Sequence, residues 1–131
     1  MSQSISAITL LVPDYDQGID YYVNVLGFDL IEDTALSPTK RWIVVAPSKE
    51  GPGLLLAKAD TEAQINAIGQ QSGDRVFLFL TTDDFAADHA RYVQAGVDFL
   101  EEPRHEVYGT VAVFRDAFGN KWDLIERTPT T

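Results

Sequence analysis

The chain has 131 residues, 45% of them hydrophobic, enough to bury a core and normally the size of one compact domain. Its 20 acidic residues against 10 basic ones give a formal net charge of −10, which argues against nucleic-acid and membrane partners and favours neutral or cationic ligands. The lack of cysteine removes disulfides, thiolate metal sites and a cysteine nucleophile. No basic segment followed by an apolar run opens the chain, and no apolar run approaches the roughly 18 residues of a membrane span, so a soluble cytoplasmic protein is expected.

Residues 4–12 read as a strand ended by Pro13, with Asp14 placed to cap a helix and Gln17 at capping-box spacing. Ile19, Tyr22, Val23 and Leu26 form an apolar helical stripe, and Gly27 stands where a left-handed C-cap is wanted. Residues 28–33, 40–46 and 53–59 then read as three strands separated by turn-rich segments. A polar stretch over residues 60–73 follows, with a short helix expected around residues 62–68.

The second half repeats the plan. Residues 75–81 read as a strand, Thr82 or Asp83 as the cap of a helix carrying Phe85, Tyr92 and Val93, Gly96 as its stop, and residues 97–101 as the next strand. After a loop over residues 102–109, EPRHEVYG, come strands at 110–115 and 121–127, joined by the turn sequence DAFGN. Asp14 matches Asp83 and Gly27 matches Gly96 at one offset of 69 residues, which Asp29/Asp98 and Glu32/Glu101 keep. Two βαβββ modules result, at about 1–60 and about 74–131, joined by a linker at about 61–73 within a single domain spanning 1–131. Short connections between the second, third and fourth strands of each module imply antiparallel pairing.

These features together resemble the vicinal oxygen chelate superfamily, which includes glyoxalase I, extradiol dioxygenases, fosfomycin resistance enzymes and bleomycin resistance proteins. VPDYDQGIDYYVNVLGF is similar to the family's first strand and helix, and FRDAFGNKWDLIE to its terminal hairpin. The resemblance implies an α+β fold in which two tandem βαβββ modules form an open, cup-like barrel around the site, and a homodimer as in many relatives. It does not choose an activity, since the scaffold hosts several.

The resemblance also implies four metal-ligand positions. The first falls on Ala7, the second within residues 54–56 and best at Leu56, the third on Phe77 and the fourth on Asp123. Only Asp123 offers a lone pair to a metal, so no cofactor is expected, with a divalent metal as the alternative. His89, within the second helix, reads as a partly exposed helix residue. His105, in the 102–109 loop, reads either as a binding group or as an exposed loop histidine.

Without a metal, function falls to the wall. Phe77, Phe79 and Thr81 share a strand face, where the two rings serve either core packing or ligand contact, and Trp42 offers a stacking surface or packs beneath a helix. Asp123 either orients a cationic or hydroxyl-bearing ligand, acts as a general base, or forms a salt bridge to Arg75, Arg41 or Arg115. Tyr108 and Glu106 either close over a ligand or make surface hydrogen bonds, and Gly109 meets a backbone need. Asp116, Gly119 and Asn120 read as turn formers, and Trp122 as a residue packed under a helix. The expectation is a small-molecule binding protein with ligand contacts at Trp42, Leu56, Phe77, Phe79, Tyr108 and Asp123. The alternative is a glyoxalase- or dioxygenase-type enzyme, a lyase, isomerase or oxygenase, using a metal or using Asp123 and His105 as acid and base.

Overall fold

A computed structural model describes residues 2–129, so the expected domain ends at residues 1 and 131 lie outside the described residues. Its packing divides into two units between Ile68 and Gly69. The first unit contains β1 (Ala7–Val12), α1 (Tyr15–Ile19), a π-helical continuation of α1 (Asp20–Val25), β2 (Asp29–Ala35), β3 (Arg41–Ala46), β4 (Gly53–Lys58) and α2 (Glu62–Ala67). Its four strands lie in the order β1-β4-β3-β2, with β1 parallel to β4 and the other neighbours antiparallel.

Strand alternation sets the two faces of this sheet. Leu10 and Val12 of β1, Leu54 and Leu56 of β4, and Ile43 and Val45 of β3 are buried on one side with Tyr22, Leu26 and Phe28. Gly18 lies against this layer so closely that a Cβ there would stand 3.0 Å from Leu56 Cδ1 and 3.2 Å from Val12 Cγ1. Thr9, Leu11, Trp42, Val44, Leu55 and Ala57 have the opposite parity, as the register pairs Thr9 with Leu55, Leu11 with Ala57 and Val44 with Leu55 show.

Asp14 caps α1 as the sequence implies, its Oδ2 accepting from the backbone N–H groups of Asp16 and Gln17. The helix then widens. Leu26 N donates to Tyr21 O at 3.0 Å, an i to i−5 bond, before Gly27 turns the chain at φ 78°.

The second unit contains β5 (Leu78–Thr81), α3 (Phe85–Gln94), β6 (Asp98–Phe99), β7 (Arg104–Glu106), β8 (Gly109–Arg115) and β9 (Lys121–Arg127). The sheet runs β5-β9-β8-β6, with β7 also paired to β8, so it has five strands where four were expected. Residues 104–106, read from sequence as loop, form one arm of a hairpin with β8. Leu80, Ala112, Phe114, Trp122 and Leu124 face one way, and all but the partly buried Leu80 are fully covered, together with Phe85 and Tyr92 of α3. Phe114 and Trp122 stack at 5.8 Å, and Tyr92 meets Phe114 edge-on at 5.7 Å. Val93, expected in the stripe, is exposed.

The cap of α3 is Asp84, one residue after Asp83 and two after Thr82, the expected candidates: its Oδ1 accepts from Ala87 N. Thr82 supports the turn by accepting from Asp84 N and donating to Asp88 Oδ2, while Glu126 Oε1 on β9 accepts from Phe85 N. The DAFGN turn is more than a reversal. Asp116, buried, accepts from Phe118 N, Asn120 N, Asn120 Nδ2 and Trp122 Nε1, tying the turn to the core.

Candidate functional site

The first unit holds a groove of about 540 Å³, lined by β1, β3 and β4 and bordered by Tyr15 at the start of α1. Leu11, Leu55 and Ala57 form its apolar floor, Trp42 a wall, and Asp60 and Gln64 a polar end next to α2. Period-two alternation is what delivers Thr9, Leu11, Leu55 and Ala57 to one side, since each is in register with its partner on the adjacent strand. Trp42 is 41% exposed and lines the groove. Gln64 Oε1 accepts from Asp60 N, fixing that end.

The rim of the groove is basic although the chain is strongly acidic. Lys40 and Lys58 line it, and neither has an ion-pair partner among the described residues. Arg41 also borders it, but its charge is already spent: Nη1 lies 2.9 Å from Asp16 and Nη2 2.7 Å from Asp33. The Arg41 guanidinium holds the Asp33 carboxyl below the usual carboxylate range, chiefly through their hydrogen bonds.

Leu56, expected to face a ligand, directs its Cδ1 at Gly18 and is buried in the layer beneath α1. It still lines the groove, beside Leu55 of the opposite parity. The one-residue difference matters because every step along a strand changes face.

In the second unit the corresponding face carries Phe79, Asp123 and Val113, aligned directly across β5, β9 and β8. Phe79 is 66% exposed. Phe77 is half-buried just before β5, its N–H donating to Lys121 O. Asp123 makes no ion pair with Arg75, Arg41 or Arg115, and its Oδ1 is the one buried side-chain polar atom among the described residues that lacks a hydrogen-bond partner. Burial pushes its carboxyl pKa up, opposed by the positive charge of Arg104 and reinforced by the negative charge of Glu101. Arg104 is occupied elsewhere: Nε donates to Glu101 and Nη1 to Glu106, each at 2.9 Å, and it also hydrogen-bonds Tyr108.

Strand register separates the two acid–base candidates. Arg104 pairs with Val111, and Val111 with Ile125, on the parity of Asp123; His105 pairs with Thr110, and Thr110 with Glu126, on the other. His105 therefore faces away from Asp123, with Nδ1 3.3 Å from Thr110 Oγ1. His89 is packed between Phe85 at 5.4 Å and Phe99 at 4.4 Å.

The residues at the implied ligand positions do not suit a metal ion. Ala7, Leu55 or Leu56, and Phe77 have no donor atom, and among the described residues no group of three or more His, Cys, Asp or Glu is placed to hold one.

A model of the Glyoxalase/Bleomycin resistance protein/Dioxygenase superfamily matches residues 4–124. The chain belongs to this superfamily. It is 53% identical over 128 residues to an uncharacterized protein of Shewanella frigidimarina, covering 96% of this chain and 95% of that one. Among solved structures it is similar to UcmS2, with 30% identity, a TM-score of 0.80 and coverage of 95% of this chain and 98% of that chain. It is also similar to TnmS3, an antibiotic binding protein from Streptomyces sp. CB03234, with 28% identity, a TM-score of 0.76 and coverage of 97% and 98%. The expected α+β superfamily fold is thus the one observed.

Proposed function

We propose that this protein binds a planar organic molecule in the first-unit groove, without a metal, and releases it unchanged. The observation that carries the reading is the half-open Trp42 ring above an apolar floor of Leu11, Leu55 and Ala57. A groove of about 540 Å³ falls within the range of small-molecule sites, and an exposed indole provides stacking area with little conformational entropy to lose. Similarity to a protein described as antibiotic binding supports the same reading. The free Lys40 and Lys58 at the rim favour a neutral or anionic ligand there, in contrast to the cationic one that net charge suggests.

Trp122 is buried, which makes Trp42 a usable reporter. In a Trp122→Phe background, titration with planar aromatic compounds of several classes is expected to change Trp42 emission. Trp42→Ala should weaken the tightest of them by about tenfold or more, the loss expected for a stacking aromatic anchor. Absence of binding across all classes would sink the proposal, as would stoichiometric metal in protein purified without chelator. We further propose a cytoplasmic homodimer; sedimentation showing a monomer at working concentration would remove that part. Among the described residues no helix is long and apolar enough to cross a membrane.

A further inference from the structure

We propose that the Trp42 groove selects a planar aromatic acid, whose anionic group is held by Lys58 and the side-chain amide of Gln64. This rests on the groove reading and deepens it, committing to one ligand charge and to the residues that read it.

The groove inverts the charge of the chain. Acids outnumber bases 20 to 10 over the whole sequence, yet among the described residues that line the groove Lys40, Arg41 and Lys58 stand against Asp60 alone. Arg41 is neutralised by Asp16 and Asp33, so the two lysines carry the available charge. Neither is paired with Asp60. Lys40 stands two residues before Trp42, its carbonyl accepting from Leu36 N and Ser37 N, and adds to the positive field at the rim.

Gln64 supplies a fixed donor. Its backbone N–H donates to Thr61 Oγ1 at 3.1 Å and its Oε1 accepts from Asp60 N at 3.0 Å, so the start of α2 holds both the residue and its side chain. A backbone N–H can only donate, which turns the amide oxygen toward Asp60 and leaves the Nε2 protons for another acceptor. No acceptor among the described residues takes them. Lys58 ends β4 two residues before Asp60, so its ammonium and the Gln64 amide belong to one polar end of the groove. A carboxylate accepts at both oxygens and matches this pair; a cation would meet the repulsion of both lysines. The ring of such an acid has Trp42 to stack on and Leu11 and Leu55 as its apolar floor.

The test is an NMR titration of the full chain with sodium 2-naphthoate and with neutral 2-naphthamide near neutral pH, read at the Trp42 indole N–H. Naphthoate is expected to bind about fivefold or more tightly, the gain from one or two partly exposed charged contacts. That margin should shrink as NaCl rises from about 20 mM to about 300 mM. Lys58→Met, which keeps the apolar stem, should lower naphthoate affinity severalfold and leave naphthamide unchanged. Gln64→Glu keeps an acceptor for Asp60 N while replacing the donors with a negative charge, and should abolish the preference for the acid. Lys49→Met removes the same charge from outside the groove and should alter neither affinity, which separates local contact from overall field. No binding of either probe would remove the groove reading and this proposal together. Equal affinity for the two probes, or a preference that survives both Lys58→Met and Gln64→Glu, would overturn this proposal alone.

Discussion

Asp123 and Asp33 show how two aspartates of one chain acquire opposite roles. Asp33 is paired with Arg41, its folded pKa lies below the ordinary 3.8, and its contribution to stability is present above that value and lost as pH falls through the folded pKa. Asp123 runs the other way. Its folded pKa is raised from 3.8, so its contribution is full below 3.8 and is lost as pH rises through the folded value. Asp123→Asn is therefore expected to be more stable than the parent at pH 7, by about 1 kcal/mol, with the difference shrinking toward pH 3; urea unfolding at a series of pH values measures it. Asp123 was legible from sequence as the one donor among the four implied positions, but its lack of a partner was not. The groove was only partly legible: Trp42 and Leu56 were among the expected contacts and both line it, whereas Thr9, Leu11, Leu55 and Ala57 were not singled out.

The helices carry the clearest correction at the level of elements. The sequence echo aligns Asp14 with Asp83, yet the caps are Asp14 and Asp84, while the stops Gly27 and Gly96 keep the 69-residue offset. The first helix therefore holds one more residue between cap and stop, and the π-helical stretch at Asp20–Val25 is where it is taken up. The closing bonds agree: Phe28 N reaches back six residues to Tyr22 O, but Val97 N only five, to Tyr92 O. Asp84→Ala should cost about 1 kcal/mol of stability and Asp83→Ala less than about 0.5, a contrast that thermal unfolding of the two variants would resolve. Gly109 is the second element-level constraint. It opens β8 at φ 151°, and a Cβ there would stand 2.2 Å from Glu126 O. Gly109→Ala is expected to lose several kcal/mol and to disrupt the β7–β8 hairpin, visible as lost amide protection over Arg104–Glu106.

For the molecule as a whole, the net charge of −10 is the dominant long-range fact. Few of the ionised groups are neutralised: the five ion pairs found among the described residues engage three arginines, Arg41, Arg91 and Arg104. Mutual repulsion of the excess acids opposes compaction, so melting temperature is expected to rise as NaCl goes from about 20 mM to about 300 mM. A fall over that range would mean that the exposed ion pairs outweigh the repulsion. The basic rim of the groove is a local exception to this field, which is why the charge of a ligand cannot be read from composition: a site responds to groups within about a Debye length, not to the total.

Sequence by itself determined the strand and helix order apart from β7, the cap at Asp14 and the stops at Gly27 and Gly96, and membership of the superfamily, because local periodicity and turn chemistry are written in neighbouring residues. It also showed that three of four implied ligand positions carry no donor. Tertiary structure alone decided which face each strand residue takes, that β1 pairs parallel with β4, that His105 and Asp123 lie on opposite sides of one sheet, and that Asp123 Oδ1 is unpaired. Those facts depend on register between segments far apart in the chain, where a shift of a single residue reverses every side chain.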